Sequence, residues 1–277
     1  MAEFSGHLSL QAVARADRRT VLAHQSVRAP YHLSKPYWDA DAGVLIVQIV
    51  NPTAGMLAGD RLESTITVAA GANLLVTTPS ASRVFKMHSG HAECRQHFAI
   101  AAGAWLEFMP EPLVPHRGSS YHQITTVAVA QGGGLFFVDP WLSGRVGHGE
   151  AWLWDRLQLE LTLHVADQLT LRERFDQSGL EAQALATWSG SGPNPCFANA
   201  ILIPPNGNEH PPSPPWREAL ADLHRDGLWL GTSALRGGGW SLKLIAPSSL
   251  LLRQGLRDTR RILGNHFPQL TADPRKL

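Results

Sequence analysis

The sequence predicts a mainly β protein built from stacked, β-helix-like layers of short strands, with two helices in the C-terminal half. Three observations lead there. Short apolar runs are punctuated by 25 glycines and 19 prolines, a texture of strands and turns and not of a helical bundle. One segment recurs: Thr65–Leu74 is echoed by His97–Leu106 and by Thr126–Leu135. Beyond Gly179 the texture changes to proline-rich loops and helix-like stripes.

Taken in chain order, His7–Val13, Gly43–Val50, Ser64–Ala69 and Leu157–Val165 carry alternating or continuous β-formers at ordinary strand length. The three echoed segments align Gly71, Gly103 and Gly132, spaced by about 30 residues, a period that reads as stacked repeats. Each glycine sits between two strand-like runs, where a tight turn needs positive φ. Each unit then meets proline: Pro79, Pro110 with Pro112, and Pro140. Proline cannot donate to a ladder, so these positions are expected at strand ends or corners. The spacing alone fits three hairpins of one sandwich nearly as well as a layered coil.

Ser189–Pro195 and Pro204–Pro215 read as loops, the second too proline-rich for regular structure. A helix is expected over about 215–225, with Ser213 or Pro214 near its cap, Pro215 at its start and Gly227 as its stop. Trp229–Ser233 and Trp240–Ala246 read as strands around the Gly237–Gly239 turn. A second helix is expected over about 249–263. It carries a Leu252, Leu256, Ile262/Leu263 stripe, with Arg253, Arg257, Arg260 and Arg261 elsewhere and Gly264 at its end. The whole chain, 1–277, is read as one domain with its repeat region at about 60–145.

Composition narrows the function. With 24 Lys+Arg against 23 Asp+Glu, the net charge of +1 excludes strong whole-molecule attraction to nucleic acid or to an anionic membrane. Charged residues are only 17%, against about 25% usually, so much of the surface is neutral and expects a partner. Cys94 and Cys196 leave no disulfide framework. Met1–Ser9 lacks the apolar core of a secretory signal, and no apolar run is long enough to span a bilayer. A soluble, cytoplasmic protein is expected.

Chemistry-bearing residues are few. His88, His91, Cys94 and His97 are spaced by three, but on a strand over 92–100 Cys94 and His97 face opposite sides and cannot share an ion. His88 and His91 precede that strand and could pair, which leaves an incomplete metal site. Gly144–Glu150 lacks the Lys-Ser/Thr ending of a phosphate loop, and its Arg145 and Glu150 suit an ordered turn. Neither a Gly-x-Ser-x-Gly elbow nor a His-Glu-x-x-His pair is present. Thr77–Ser82 is a run of small hydroxyl residues around a proline, either a self-capped turn or a polar lining for something passing through.

Five segments in order resemble the UreD (UreH) family of urease accessory proteins. They are Leu57–Leu62, Thr77–Lys86, Leu106–Pro115, Ser143–Glu150 and Leu171–Arg174, and the similarity runs from about His7 to the C-terminal helix. The resemblance implies a non-enzymatic maturation factor that bridges the urease apoprotein to UreF and, through it, to the nickel-carrying GTPase UreG. It also implies a layered β fold with two helices, no tightly bound cofactor, and transient passage of nickel. On matching positions Asp60, Asp139 and Glu173, with Thr77 and Thr78 nearby, are candidates for an internal nickel route, while Arg145 and Glu150 are structural. Hard oxygen ligands suit such brief handling. Asn51–Gly55, His116 and Ser82–Arg83 depart from the family's usual residues.

Two readings from other classes compete. One is a metal-dependent hydrolase using His88 and His91. The other is a carbohydrate-binding module using Trp141, Trp152 and Trp154 as stacking platforms, against which core packing is the simpler account of those rings.

Overall fold

The computed structural model describes residues 5–51, 53, 55–205, 214–224 and 227–274. The chain opens with an antiparallel hairpin of β1 (Ser5–Ala14) and β2 (Thr20–Arg28). Two short strands, β3 (His32–Leu33) and β4 (Tyr37–Asp39), then pair antiparallel with β5 (Val44–Val50).

Three coils follow. The first is β6 (Arg61–Val68), β7 (Asn73–Thr77) and β8 (Ser82–Val84), and the second is β9 (Ala92–Ile100), β10 (Trp105–Met109) and β11 (Leu113–Pro115). The third is β12 (Ser120–Val129) followed by β13 (Gly134–Leu142). Corresponding strands stack in parallel: β6 on β9 on β12, β7 on β10 on β13, and β8 on β11. Each repeat glycine is therefore a bend between two sheets. This pairing decides between the two sequence readings, because hairpins would have given antiparallel neighbours within one sheet.

The glycines form a ladder of their own. The Gly71 amide donates to the Gly103 carbonyl at 3.2 Å, and the Gly103 amide donates to that of Gly132 at 3.0 Å. All three have positive φ, at 74°, 67° and 80°, a backbone state that costs an L-residue roughly 1–2 kcal/mol. Pro79, Pro110 and Pro112 lie outside strands, as expected, but Pro140 lies inside β13. It is tolerated because the Gly134 amide donates toward β10, so Pro140, six residues on, turns its missing donor to the same side. The registered β10 pairing has already ended there, at Phe108 opposite Phe137.

The chain then adds a hairpin of β14 (Arg156–Val165) and β15 (Gln168–Gln177), helix α1 (Gly179–Thr187) and β16 (Cys196–Ile203). Helix α2 (Pro215–Ala221), the hairpin β17 (Trp229–Ala234) and β18 (Trp240–Ala246), and helix α3 (Ser249–Gly264) complete it. Among the described residues there are three α-helices where two were expected. The missed one, α1, starts at a capping box: the Ser178 hydroxyl accepts from the Glu181 amide while the Glu181 carboxylate accepts from the Ser178 amide. Helix α2 stops at Ala221, four residues short of the expected end, and α3 extends one residue past it. Residues 206–213 of the second proline loop, Ser213 of the expected cap and Arg225 lie outside the described residues.

Two sheets result, ordered β15-β14-β12-β9-β6-β1-β2 and β17-β18-β16-β13-β10-β7-β5-β3. Between them lies an apolar core that includes Ile66, Phe98 and Val127 from one sheet and Val76, Phe108 and Phe137 from the other. The first sheet alternates buried and exposed residues, so its outer face meets solvent. Strands of the second sheet are buried on both faces, because α2 and α3 cover its far side through Trp216, Leu252, Leu256 and Leu263, and Ala272 packs there against Ile46 and Leu75. Cys94 and Cys196 are both free and buried.

A buried ion pair fastens α3 to the coil. Glu107 on β10 is 0% exposed and meets the Arg260 guanidinium through two hydrogen bonds, at 2.6 and 2.9 Å. Such a pair adds little over an apolar one, but removing one partner strands a buried charge. Glu107→Ala is expected to cost about 3–5 kcal/mol in urea denaturation. The double replacement Glu107→Leu with Arg260→Leu is expected to cost much less; equal losses would contradict this view of the pair.

Candidate functional site

The parallel stacking places like positions side by side, and in one layer of the interior those positions are polar. Ser64, Gln96 and Thr125 are register partners on β6, β9 and β12, and the Thr125 hydroxyl donates to the Gln96 carbonyl at 2.9 Å. The next layer holds Cys94 and Gln123. Opposite them, Asp139 projects from β13 and accepts from the Gln123 amide at 2.9 Å. Ser64, Gln96, Cys94, Gln123 and Asp139, with Tyr31 and Tyr121, line an inner cavity of about 170 Å³ that Thr78 and Pro79 also line.

Asp139 also lines a second, open cavity of about 580 Å³ that contains Glu173, Asn199 and Lys243. Here the antiparallel register sets Asp139 beside Asn199 and Asn199 beside Lys243. Glu173 reaches across from β15, accepting from the Asn199 amide at 3.3 Å and from the Lys243 ammonium. Lys243 also donates to the Asn199 carbonyl at 2.9 Å. A polar line thus runs from Thr78 through the inner cavity to Asp139 and out to Glu173.

Loss of solvent pushes the Asp139 carboxyl up to about 6, with the Gln123 bond opposing the rise and the Glu173 charge adding to it. Burial likewise raises Cys94 to about 11, so this thiol stays protonated near neutral pH and is a poor metal ligand. The line therefore offers oxygen atoms and neutral groups, with one carboxyl poised to gain or lose a proton.

The sequence-predicted residues distribute as follows. Asp139 and Glu173 share one cavity, and Thr78 joins Asp139 in the other. Thr77 and Thr78 line a third, larger hollow of about 880 Å³ beneath α3. Their hydroxyls also tie coils together: Thr77 donates to the Met109 carbonyl at 2.8 Å, and Thr78 accepts from the Glu111 amide at 2.8 Å. Asp60 does not join the line. Its carboxylate accepts from the Leu57 amide at 2.8 Å and lines a groove on the outer face with His91 and Glu93.

Arg145 and Glu150 form a two-bonded pair, at 2.9 and 2.7 Å. Glu150 also accepts from the Arg117 amide at 3.3 Å, which anchors the turn before β12. Cys94 is buried and His97 exposed, the opposite facing expected of them. His88 and His91 are exposed, and among the described residues the cluster close enough to share an ion holds His91 without His88. Trp141, Trp152 and Trp154 are at most 7% exposed, and the latter two donate to backbone carbonyls of Pro193 and Ser143. They offer no platform for a sugar. His116 packs edge-on to Phe85 with centroids 4.9 Å apart, and burial lowers its pKa, so a neutral ring fills an aromatic's place.

Sequence reasoning missed Gln123, Asn199 and Lys243. Gln123 carries a readable signal, a polar residue at an inward position of an alternating strand, Tyr121-x-Gln123-x-Thr125. Asn199 and Lys243 had none, since only the register brings them to Asp139.

A coil of in-register parallel strands, stacked layer on layer with a row of polar side chains inside, defines a β-solenoid-like class of protein. Comparison with known proteins makes the assignment specific. The family model described as UreD urease accessory protein matches residues 5–277. A protein named urease accessory protein UreD from Opitutus terrae is 60% identical over 275 residues, 99% of this chain and 100% of that one. Proteins of the same name from Yersinia pseudotuberculosis and Yersinia enterocolitica are 36% identical over 146 residues, covering 52% of this chain and 45% of theirs. The chain belongs to the UreD family of urease accessory proteins.

The Asp139 environment makes a pH prediction. Its folded pKa, about 6, lies above the ordinary 3.8, so the folded state binds the extra proton and stability falls as pH rises between those values. Asp139→Asn removes that slope. Urea melts are expected to find it more stable than the parent above pH 6, on the order of 2–3 kcal/mol, with the gain shrinking toward pH 4. A variant destabilised equally at both ends would contradict the burial argument.

Proposed function

We propose that this chain acts in urease maturation as a scaffold without catalytic activity of its own, bridging the urease apoprotein to UreF and the nickel-carrying GTPase UreG in the cytoplasm. Within that assembly it passes nickel along the interior line, from Thr77 and Thr78 past Asp139 to Glu173. The observation that carries this reading is that two cavities share one part-buried carboxyl, Asp139. A conduit needs contacts weak enough to release the ion, and carboxylate, amide and hydroxyl oxygens hold nickel less firmly than imidazole or thiolate. Asp139 suits the middle of the path, because a carboxyl near neutrality can shed its proton as a cation arrives and recover it afterward. Lys243 neutralises Glu173 in the resting state and, half-exposed, can swing aside.

The surface supports a role exercised through protein contacts. Helix α1 turns Leu180, Leu185 and Trp188 to solvent, the last at 87% exposure, and large apolar groups so displayed mark association sites. Leu185 and Ala186 of the same helix line the Glu173 cavity, so a partner on this face would cover the mouth of the line.

Two outcomes are expected. The tagged chain co-purifies with UreF and with urease apoprotein, and Trp188→Asp weakens capture of whichever partner covers α1 while sparing the other. Capture of neither partner by the parent chain sinks the scaffold reading, and unchanged capture by the variant removes α1 from it. Glu173→Gln, which keeps the shape and removes the charge, is expected to slow urease activation in a reconstituted maturation assay without weakening the complex.

A further inference from the structure

We propose a divalent-metal site on the outer face of the first sheet, formed by His91, Glu93 and His122, for a borderline ion such as Zn²⁺ or Ni²⁺. It is separate from the interior line and needs none of its residues. The ligating atoms of the three side chains all lie within 4.8 Å of one another.

The coil architecture creates this constellation. His91 immediately precedes β9 and Glu93 is its second residue, so the two, on extended chain and two apart, turn their side chains to one face. Parallel register sets Glu93 directly beside His122 on β12, and the two imidazole rings are 6.4 Å apart. The backbone beneath is fixed to the preceding coil: the Gly59 amide donates to the His91 carbonyl at 3.0 Å, and the Glu93 amide donates to that of Asp60 at 2.9 Å. Small side-chain rotations on a stiff frame are enough to close the three groups around an ion.

The donor set has recognisable chemistry. Two imidazoles and one carboxylate, with a coordination position left to water, match three-ligand zinc sites, and imidazole nitrogen equally suits nickel. A supporting carboxylate is present as well. Glu160, on the neighbouring β14, lies 3.4 Å from the His122 Nε2. A carboxylate holding the far nitrogen of a ligating histidine fixes its ring and raises its basicity.

One side chain opposes the site. The Arg95 guanidinium, itself more than half exposed, holds the Glu93 carboxylate at 2.8 Å and keeps it ionised. A metal ion must displace this cation, which makes Arg95 a brake on affinity. The open groove that His91 and Glu93 share with Asp60 gives an ion free approach from solvent.

Calorimetric titration of the full chain with NiCl₂, and separately with ZnCl₂, tests the proposal. The parent is expected to bind one equivalent that the His91→Ala, His122→Ala double variant lacks. Each single variant, and Glu93→Gln, should weaken that equivalent at least about tenfold. His88→Ala should leave it unchanged, and Arg95→Ala should tighten it. Asp139→Asn should leave it intact, which separates its failure from failure of the interior route. His88, His91 and Arg95 are exposed and Glu93 and His122 are partly so, and circular dichroism checks that the fold persists in every variant. No binding by the parent, or equal stoichiometry and affinity in the double variant, overturns the site.

Discussion

The in-register stacking of coils at their glycine bends is the constraint on which the rest of the molecule depends. Gly71, Gly103 and Gly132 turn the chain from one sheet to the other, and their amides and carbonyls bond directly from coil to coil. Because the bends are aligned, each position of a coil meets its equivalent above and below. Ile66, Phe98 and Val127 form one continuous apolar row for that reason. A single slip of register would turn every inward side chain to solvent, so aligning the bends and burying the core are the same requirement.

The same alignment produces the chemistry. A polar residue placed inward on one coil would be an isolated cost; Ser64, Gln96 and Thr125 are placed inward at matched positions, where Thr125 bonds Gln96, and they form a polar row through the core. Asp139 completes it from the opposite sheet, and the antiparallel pairings of β13, β16 and β18 carry the row on to Asn199, Lys243 and Glu173. The outer face obeys the same rule, since Glu93 and His122 meet only because β9 and β12 are in register. Interior line and surface cluster are thus two products of one repeat, on opposite faces of the same strands. Helix α3 does not build the line. It covers the second sheet and is held there by Arg260 against Glu107.

How much of this was legible in the sequence follows from which interactions are local. The repeat, its three glycines, the β17–β18 hairpin and α3 were readable because turn chemistry and periodicity act over a few residues. Whether the repeats made hairpins or stacked coils was open, since strand partners about 30 residues apart leave no local mark. Helix α1 was missed although Ser178 and Glu181 spelled out its cap. Its exposed Leu180, Leu185 and Trp188 blur the amphipathic stripe that normally announces a helix, and they do so on the surface read here as a docking face. Pro140 was misplaced because its neighbour strand ends beside it, a fact of tertiary structure. For the site, Asp139, Glu173, Thr77 and Thr78 came from the family resemblance, which no spacing rule would have supplied. Asp60, taken from the same resemblance, lies on the outer groove instead.

The proposed nickel path turns on Asp139, which lines both cavities. Asp139→Leu keeps the branched shape, is bulkier, and replaces the one carboxyl common to both cavities with an apolar plug. The direct measurement is the nickel content of urease matured in a reconstituted system with this variant, set beside co-purification of the variant with its partners. The account predicts an assembled complex that delivers nickel-poor urease. Fully loaded urease from an intact complex would contradict it.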